Sequence, residues 1–425
     1  MPITRRSPNP YNNFIIERIT IRGLTTLVYA ENELISLETY ESMDGLISGV
    51  VTLNDVIGMS DVTKMTGLEA LDIEFASGVG SSYGYRFRKS FRISGFSRTQ
   101  SDNGLRETLM VRFTNHLLIA NNFIKKPYTF KNTSIANIVR SMIAEFKEEA
   151  PNIDVEDTTF ARDYTTGYSR PLNVIYNLID HAASGSNNSC KYFFYEDRDG
   201  IKFKTLGSLK NTPSEYIVRK SANTGSEKFS AGTGKVLFAS RLSVKEGSNL
   251  GQLSNNGLYG ARTITHSLIR KTVEQHDIRR SDFSKLVGTL NTIPHMYEDE
   301  SVQPPEMLEA QQPLNAIVSL PGDGFYKNDA KHTLGHINSV AQMESNYINA
   351  KTILAEIPGN TNITVGNIVY VDHVSVVSSD MISEMASGNW MIAKVKHHVT
   401  PDEFRTTLEL VSDSSPKHAV SKGNA

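Results

Sequence analysis

Two short stretches near the end of the chain, Trp390-Met391-Ile392-Ala393 and Arg405-Thr406-Thr407-Leu408, repeat earlier stretches at one constant offset of 299 residues, found by subtracting positions. The earlier copies are Phe91-Arg92-Ile93-Ser94 and Arg106-Glu107-Thr108-Leu109, and Gly67 lies over Gly366 at the same offset. Each copy reads as a glycine, a strand, a variable loop, a strand that opens with an aromatic residue, a turn of equal length and a final Arg-x-Thr-Leu strand. Hairpins of similar size can coincide by chance, but three features at one offset favour a duplicated β-barrel.

The first copy closes a region, residues 13–122, in which strand patterns dominate. Apolar and polar residues alternate in 14–21, 47–53 and 109–113, which is typical of strands with one buried face. The glycine-rich tract 78–84 has no periodicity, so we predict a loop that joins two strands. We interpret residues 13–122 as the first β-barrel.

Residues 123–215 predict a compact α/β insertion. Apolar residues at helical spacing predict a first helix, and Thr133 or Ser134 is available as its N-cap. Its stripe consists of Ile135, Ile138, Val139, Met142, Ile143 and Phe146. Pro171 suits the first position of a second helix because its missing N–H would have no partner there. Its apolar face consists of Leu172, Ile175, Leu178, Ile179 and Ala182. Residues 190–195 and 201–206 predict a hairpin whose turn contains Asp199-Gly200.

The second barrel is predicted to be discontinuous, formed by residues 216–280 and 337–413. Strand patterns run over 235–246 and 262–278, and the chain closes with strands at 363–372, 390–399 and 404–411. A helix is predicted from Val340, Met343, Tyr347, Ala350 and Leu354. Residues 281–336 contain five prolines, which predict an extended connection, and residues 414–425 are predicted to be disordered. The expected fold class is therefore mostly β, with two barrels and one α/β domain.

Bulk properties exclude several classes of protein. A chain of 425 residues predicts two to four domains, and no stretch approaches the 18 apolar residues that a membrane span needs. The N-terminal residues 1–11 contain no apolar core and do not read as a secretory signal. A formal net charge of -2 disfavours stable binding to nucleic acid, because such proteins normally carry a basic excess. The single cysteine allows no intrachain disulfide, which fits folding in a cytoplasm.

The sequence predicts no catalytic, cofactor-binding or metal-binding residue, and no cofactor. His397 and His398 are neighbours on a predicted strand and would face opposite ways, so they cannot share one ion. Cys190 is predicted to be a buried thiol. Residues 232–235, Gly-Thr-Gly-Lys, depart from a phosphate loop because Phe229 and Val236 occupy positions that need Gly and Ser or Thr. The acidic run 298–300 is predicted to be solvated.

Two parts of the chain resemble the central baseplate hub proteins of contractile (myovirus, T4-like) phage tails, which are related to the N-terminal hub part of type VI secretion spikes. The first part is Leu34-Ile35-Ser36-Leu37-Glu38-Thr39-Tyr40-Glu41-Ser42, with Ser48-Gly49-Val50-Val51-Thr52-Leu53-Asn54-Asp55 and Thr66-Gly67-Leu68-Glu69. The second is residues 340–411, which are similar to the closing helix, glycine-containing strand and final hairpin of a hub.

The resemblance implies a non-enzymatic homotrimer in which each subunit supplies two tail-tube-like barrels. Three subunits would form a ring that joins the sixfold tail tube to the threefold central spike and encloses the channel for genome ejection. The implied partners are the tail tube protein, the central spike protein, the tape-measure protein and the baseplate wedge proteins, with DNA present only in transit. The implied location is the tail baseplate of the virion, assembled in the host cytoplasm.

Two alternatives stay open at this point. The first is another baseplate or tail component, a wedge or a tail terminator, which an odd number of barrels or a sixfold oligomer would favour. The second is a tail-associated glycan-binding protein or lysin. Glycan binding would require exposed aromatic clusters, whereas Trp390 is the only tryptophan and lies in the middle of a predicted strand, where core packing is expected.

Overall fold

The computed structural model describes residues 13–29, 31–55, 58, 65–79, 82–100, 107–146, 152–220, 236–246, 260–267, 271–279, 283, 286–291, 293–294, 314–317, 334–373 and 387–415. The chain is mostly β, as the sequence predicted. Strands β1 to β7 are Phe14–Arg22, Thr26–Tyr29, Leu34–Ser42, Ser48–Asp55, Ala70–Val79, Ser82–Gln100 and Glu107–Thr114. Strands β8 to β12 are Lys126–Ser134, Ile153–Val155, Ala161–Ser169, Tyr192–Glu196 and Ile201–Thr205.

The second half of the chain is also dominated by strands. Strands β13 to β24 are Tyr216–Lys220, Val236–Ala239, Arg241–Glu246, Gly260–Ser267, Thr272–Arg279, Ile293–Pro294, Leu314–Ile317, Lys351–Pro358, Ile368–Asp372, Gly388–Val399, Phe404–Ser412 and Ser414–Ser415. Helices α1 to α5 are His116–Ala120, Ile135–Ala144, Pro171–Ile179, Leu206–Lys210 and Leu334–Ile348, and Glu31–Glu33 form a 3-10 turn.

One sheet of 14 strands contains two arrays with the same strand order. The first array runs β2-β1-β5-β6-β7-β4-β3. The second array runs β14-β13-β21-β22-β23-β20-β15. Their directions differ at one position, because β13 is parallel to both of its neighbours whereas β1 is antiparallel to both of its own. Seven strands of one array therefore have seven counterparts in the other.

A β-bulge fixes the alignment of the arrays. It falls at Ser94 in β6 and at Ala393 in β22, which are 299 residues apart. Gly67 and Gly366, separated by the same offset, both have positive φ, +90° and +82°. Only glycine adopts such angles without a steric penalty, so this conformation accounts for both glycines.

The predicted overlay of the final strands is wrong by two residues. Phe96 pairs with Val111, whereas its counterpart Val395 pairs with Leu408, so β7 and β23 are related by an offset of 297. The hairpin between β22 and β23 is two residues shorter than the one between β6 and β7. The Arg-x-Thr-Leu motif occurs in both hairpins, but its residues are not structural counterparts.

Each array packs one face onto its own apolar core. The core of the first array contains Phe75, Phe87, Phe91 and Phe113, with Phe75 and Phe87 stacked at 4.7 Å between ring centroids. The core of the second array contains Trp390, which is 1% exposed, as the sequence predicted. Burial of such side chains contributes roughly 1.5–3 kcal/mol each.

The insertion predicted for residues 123–215 has its own core. All six residues of the predicted stripe are buried, although Phe146 lies beyond the end of α2, and Oγ of Ser134 accepts the N–H of Asn137 at 3.3 Å. Pro171 begins α3, as predicted. The hairpin of β11 and β12 turns at Gly200, whose φ is +147°. These elements enclose a cluster with Tyr192 and Phe203 stacked at 4.6 Å.

Four local predictions are wrong. The tract 78–84 is not a loop, because Gly78 pairs with Tyr83 as β5 and β6 continue into it. Residues 262–278 are not one strand of the second barrel, because β16 and β17 form a separate sheet with β19. Helix α5 ends at Ile348, so Leu354 lies in β20, a strand that the sequence reading missed. Ser414 and Ser415, in the predicted disordered tail, form β24 with β18.

Candidate functional site

The two arrays meet along a single strand, β22. Its first residues, 388–391, pair with β21, and beyond the bulge its residues 394–399 pair with β3 of the first array. The bulge redirects the strand, which lets β22 leave one neighbour and join another. On its other side β22 pairs with β23 along nearly its whole length. We call residues 37–42 of β3 and 394–399 of β22 the junction sheet.

The inner face of the junction sheet is buried. Phe404, at the start of β23, reaches into the core of the first array and meets Phe75 edge-on at 5.5 Å between ring centroids. His397 is 1% exposed, and its Nδ1 lies 3.0 Å from Oγ1 of Thr406. Burial lowers the pKa of His397 to about 3, so the ring is neutral at ordinary pH. This histidine is part of the packing of the junction sheet.

The outer face of the junction sheet carries paired charges. Oε1 of Glu38 lies 2.9 Å from Nζ of Lys396 and 3.1 Å from Nδ1 of His398, and Tyr40 donates its hydroxyl to the same carboxylate. Partial burial opposes ionisation of Glu38, but the hydrogen bonds from Tyr40 and Lys396 and the nearby cations lower its pKa. His397 and His398 thus face opposite sides. A second pair, Lys394 with Glu409 at 2.9 Å, continues this face onto β23.

A buried ion pair ties the first array to the insertion. Nζ of Lys89 on β6 lies 2.6 Å from Oε1 of Glu196 on β11, and the side chains are only 13% and 7% exposed. The other oxygen of Glu196 accepts the N–H of Ile47 at 3.0 Å and the amide of Asn115 at 2.7 Å. A buried charge pair is tolerated only with such additional hydrogen bonds. Three segments of the chain therefore converge on one carboxylate.

Glu41 connects the first array with the second. Its carboxylate accepts the hydroxyl of Thr364 at 2.8 Å, in the loop before β21. Desolvation raises the pKa of Glu41 to about 7, although the Thr364 hydroxyl and the charge of Lys89 oppose the rise. The alternation Leu37, Thr39, Glu41 placed this residue on the inward face of its strand. A glutamate at an inward-facing position of a strand is a signal that the sequence analysis did not use.

Glu344 anchors α5 on the insertion. Its two oxygens accept the hydroxyl of Ser189 at 2.6 Å and the backbone N–H groups of Cys190 and Lys191, each at 2.8 Å. Desolvation raises the pKa of Glu344 against these hydrogen bonds. Cys190 is buried as predicted, although it precedes β11 and is not part of the hairpin arm. Together, these contacts link the insertion to the first array and to α5, and they link the two arrays to each other.

No group of three or more histidine, cysteine, aspartate or glutamate side chains suited to a metal ion occurs within the described ranges. In the same ranges no helix is long and apolar enough to cross a membrane. The phosphate-loop-like residues 232–235 and the acidic run 298–300 lie outside the described residues. The described part contains two joined arrays of one sheet, with paired charges on the outer face of the junction sheet.

The fold is similar to that of phage tail proteins. A tail protein from Neisseria meningitidis MC58 matches with a TM-score of 0.53 and 8% identity, over 94% of this chain and 97% of that one. The 43 kDa tail protein of prophage MuSo2 from Shewanella oneidensis matches with a TM-score of 0.52 and 9% identity, over 94% of this chain and 100% of that one. The chain thus shares the fold of these two tail proteins.

Sequence similarity assigns the chain to a family. No family model matches the chain. A protein described as a probable baseplate hub protein of Vibrio phage KVP40 is 47% identical over 415 residues, which cover 98% of each chain. The chain belongs to the baseplate hub proteins of phage tails, as its resemblance predicted, and its place is the baseplate of the virion.

Proposed function

We propose that this hub is a homotrimeric adaptor of a contractile tail that joins a sixfold tail tube to a threefold central spike. The observation that carries the proposal is the recurrence of one seven-strand order in both halves of the chain. The shared bulge position and the paired positive-φ glycines support a duplication of one tube-like β-barrel unit. Three chains with two such units each would present six similar surfaces in one ring.

The same chain carries features that occur once, and these would give the ring a threefold side. The insertion with its own core and the sheet of β16, β17 and β19 have no counterpart among the described residues of the first array. A ring of three chains therefore repeats them three times, which matches a threefold spike. We assign the first barrel to residues 13–122, the insertion to 123–215, and the second barrel to 216–246 and 351–413. Residues 281–336, predicted to be an extended connection, contain β18, β19 and the start of α5.

The outer face of the junction sheet supports a channel for genome ejection. Its lysines are matched by carboxylates, Lys394 by Glu409 and Lys396 by Glu38. A surface that neutralised phosphates would bind DNA in a salt-dependent way and retard it. Paired charges leave no excess of cations on this face, so DNA would pass in transit. The remaining expected partners are the tail tube, tape-measure, spike and wedge proteins.

The first test is the mass of the purified protein over a concentration range, by analytical ultracentrifugation. Three chains of 47.2 kDa give a trimer of about 142 kDa. A stable hexamer would contradict the adaptor and favour a tube or terminator role. The second test adds the trimer to the tail tube protein of the same phage. The adaptor should shorten the lag of tube polymerisation, and an unchanged lag would contradict the nucleating role.

The role is proposed to be structural and not enzymatic. The carboxylates described above are engaged by donors that connect parts of the chain, as Glu196 and Glu344 illustrate. Incubation with purified peptidoglycan should release no soluble fragments. Release that is lost when a single carboxylate is replaced would overturn this assignment.

A further inference from the structure

We propose that the outward face of strands β1, β5 and β6 in the first array binds an acidic segment of another protein. This face carries exposed arginines on its two outer strands: Arg18 and Arg22 on β1, and Arg86 and Arg88 on β6. We call these four residues the arginine face. The inference stands apart from the proposed trimer, because it concerns one face of one chain. The partner is defined by its carboxylates.

Strand pairing places the arginines on both sides of a row of carboxylates. Arg18 lies opposite Glu74 on β5, and Glu74 in turn lies opposite Arg88. Neighbouring strands are about 4.8 Å apart, so the backbones of Arg18 and Arg88 are separated by roughly 10 Å across the face. Between them lies a cleft of about 340 Å³, whose charged lining consists of Arg18, Arg22, Asp72, Glu74 and Arg88. An acidic side chain that enters this cleft meets arginines on two sides.

The arginines stand out from the surface, whereas the carboxylates beside them are recessed. The side chain of Arg88 is 75% exposed and that of its partner Glu74 is 15% exposed. For Arg22 and its partner Asp72 the exposed fractions are 51% and 21%. A guanidinium has five N–H donors, and a bidentate contact with one carboxylate uses two of them. A partner that approaches this face therefore meets N–H groups before it meets carboxylates.

The carboxylates of this face do not balance its arginines. The four arginines have three carboxylates beside them, those of Glu17, Asp72 and Glu74. Desolvation and a hydrogen bond with Glu74 raise the pKa of Glu17, so this glutamate ionises less readily than an isolated one. The face therefore keeps an excess of positive charge. A partner with acidic side chains would supply the complementary charge.

The recessed carboxylates favour a protein partner over nucleic acid. Asp72 and Glu74 lie in the middle of the face, where they would repel a continuous run of phosphates. The separate carboxylates of an acidic segment can contact Arg18 and Arg88 on either side and avoid Glu74 between them. The cations are also all arginines, whose planar guanidinium groups bind carboxylates through two parallel hydrogen bonds, as lysine cannot. The geometry thus suits discrete acidic side chains.

The arginine face is a feature of the first array. In the second array, Ser387 lies at the position that follows Arg88 by the offset of 299 residues. Among the described residues of β13 and β21, the corresponding face carries the pair Arg219 and Asp372, at 2.8 Å from Nε to Oδ2. The two arrays share their strand order, so the arginine face distinguishes one from the other. Its partner would bind once per chain.

The arginine face and the outer face of the junction sheet lie across the first core from each other. Ile19, Ile73 and Phe87 enter this core from β1, β5 and the first part of β6. Leu37 and Val51 enter it from β3 and β4. Side chains at alternate positions of these strands point away from the core. A partner bound to the arginine face would therefore leave the junction sheet uncovered.

Fluorescence anisotropy of a labelled decaglutamate peptide tests this face in the full-length protein. The protein should bind the peptide at low salt and release it as salt is added, because the contact is ionic. Arg18→Gln with Arg88→Gln should weaken binding about tenfold, since two exposed ion pairs are lost and each contributes up to about a factor of five. The matched control, Arg140→Gln with Arg262→Gln, removes the same charge from aspartate-paired arginines on the insertion and the separate sheet.

A conservative variant separates geometry from charge. Arg18→Lys with Arg88→Lys keeps both positive charges and removes the planar pairs of donors. Its affinity for decaglutamate should lie between those of the wild-type protein and the glutamine variant. Full affinity would overturn recognition by guanidinium groups. Unchanged urea midpoints, followed by the fluorescence of Trp390, verify that each variant is folded.

A loss of affinity in the arginine-face variant and not in its control would support the proposal. An equal loss in both variants would be an effect of net charge and would overturn the site, as would a wild-type protein that does not bind the peptide. A DNA duplex that binds more tightly than decaglutamate, and that the arginine-face variant no longer binds, would overturn the protein partner. These outcomes are independent of the mass of the assembled protein, so they leave the proposed trimer to its own test.

Discussion

Replacement of Lys89 by methionine should destabilise the protein far more than the loss of a surface lysine. The change removes the cation of a pair whose side chains are 13% and 7% exposed and leaves Glu196 buried with a charge. Removal of one partner of a buried pair costs about 3–5 kcal/mol. Glu196 keeps the donors Ile47 and Asn115, so the lower end of that range, about 3 kcal/mol, is expected.

Urea unfolding followed by tryptophan fluorescence measures this cost, because Trp390 is the only tryptophan and is buried. For a slope near 3 kcal/mol per molar urea, the midpoint should fall by about 1 M. Lys394→Met is the matched control, since its pair with Glu409 is 54% and 30% exposed and such pairs contribute about 1 kcal/mol or less. Equal midpoints of the two variants, with circular dichroism in agreement, would refute the structural role of Lys89.

Three further predictions concern single residues. Gly366→Ala should lower the free energy of unfolding by about 1–3 kcal/mol in the same urea assay, because φ is +82° and the Tyr195 hydroxyl lies 2.6 Å from an added Cβ. Glu41 has a folded pKa raised to about 7, so its contribution to stability is present below pH 4.5 and is lost as the pH rises through 7. Glu41→Gln should therefore reduce the fall in the free energy of unfolding between pH 5 and 8, measured in urea, by about 3 kcal/mol at most, and an unchanged fall would contradict the assignment. Burial raises the pKa of the Cys190 thiol, so iodoacetamide should label it only in urea, by mass spectrometry, and rapid labelling of the native protein would disprove its burial.

Sequence patterns correctly predicted the elements that depend on residues close to each other in the chain. The stripe on α2 and the proline at the start of α3 were predicted correctly. A helix buries residues at a fixed spacing, and a proline fits its first turn because an N–H there would have no partner. The glycine-rich tract 78–84 was misread because a long hairpin supplies hydrogen bonds that override the weak strand propensity of glycine. Similarly, Ala350 and Leu354 continue the spacing of α5, but strand pairing takes Leu354 into β20.

The sequence by itself determined the β class and the resemblance to phage hubs, and it placed Gly67 and Gly366 at an offset of 299 residues. These features depend on hydrophobic periodicity and on short motifs, which can be recognised in a single sequence. Only the tertiary structure decided that the final hairpins differ by two residues, that β16 and β17 leave the large sheet, and that β22 pairs with β3. The tertiary structure also decided that Lys89 pairs with Glu196 and that Glu41 accepts a hydrogen bond from Thr364. Strand pairing joins residues hundreds of positions apart through backbone groups that every residue carries, so its partners leave no mark in the local pattern.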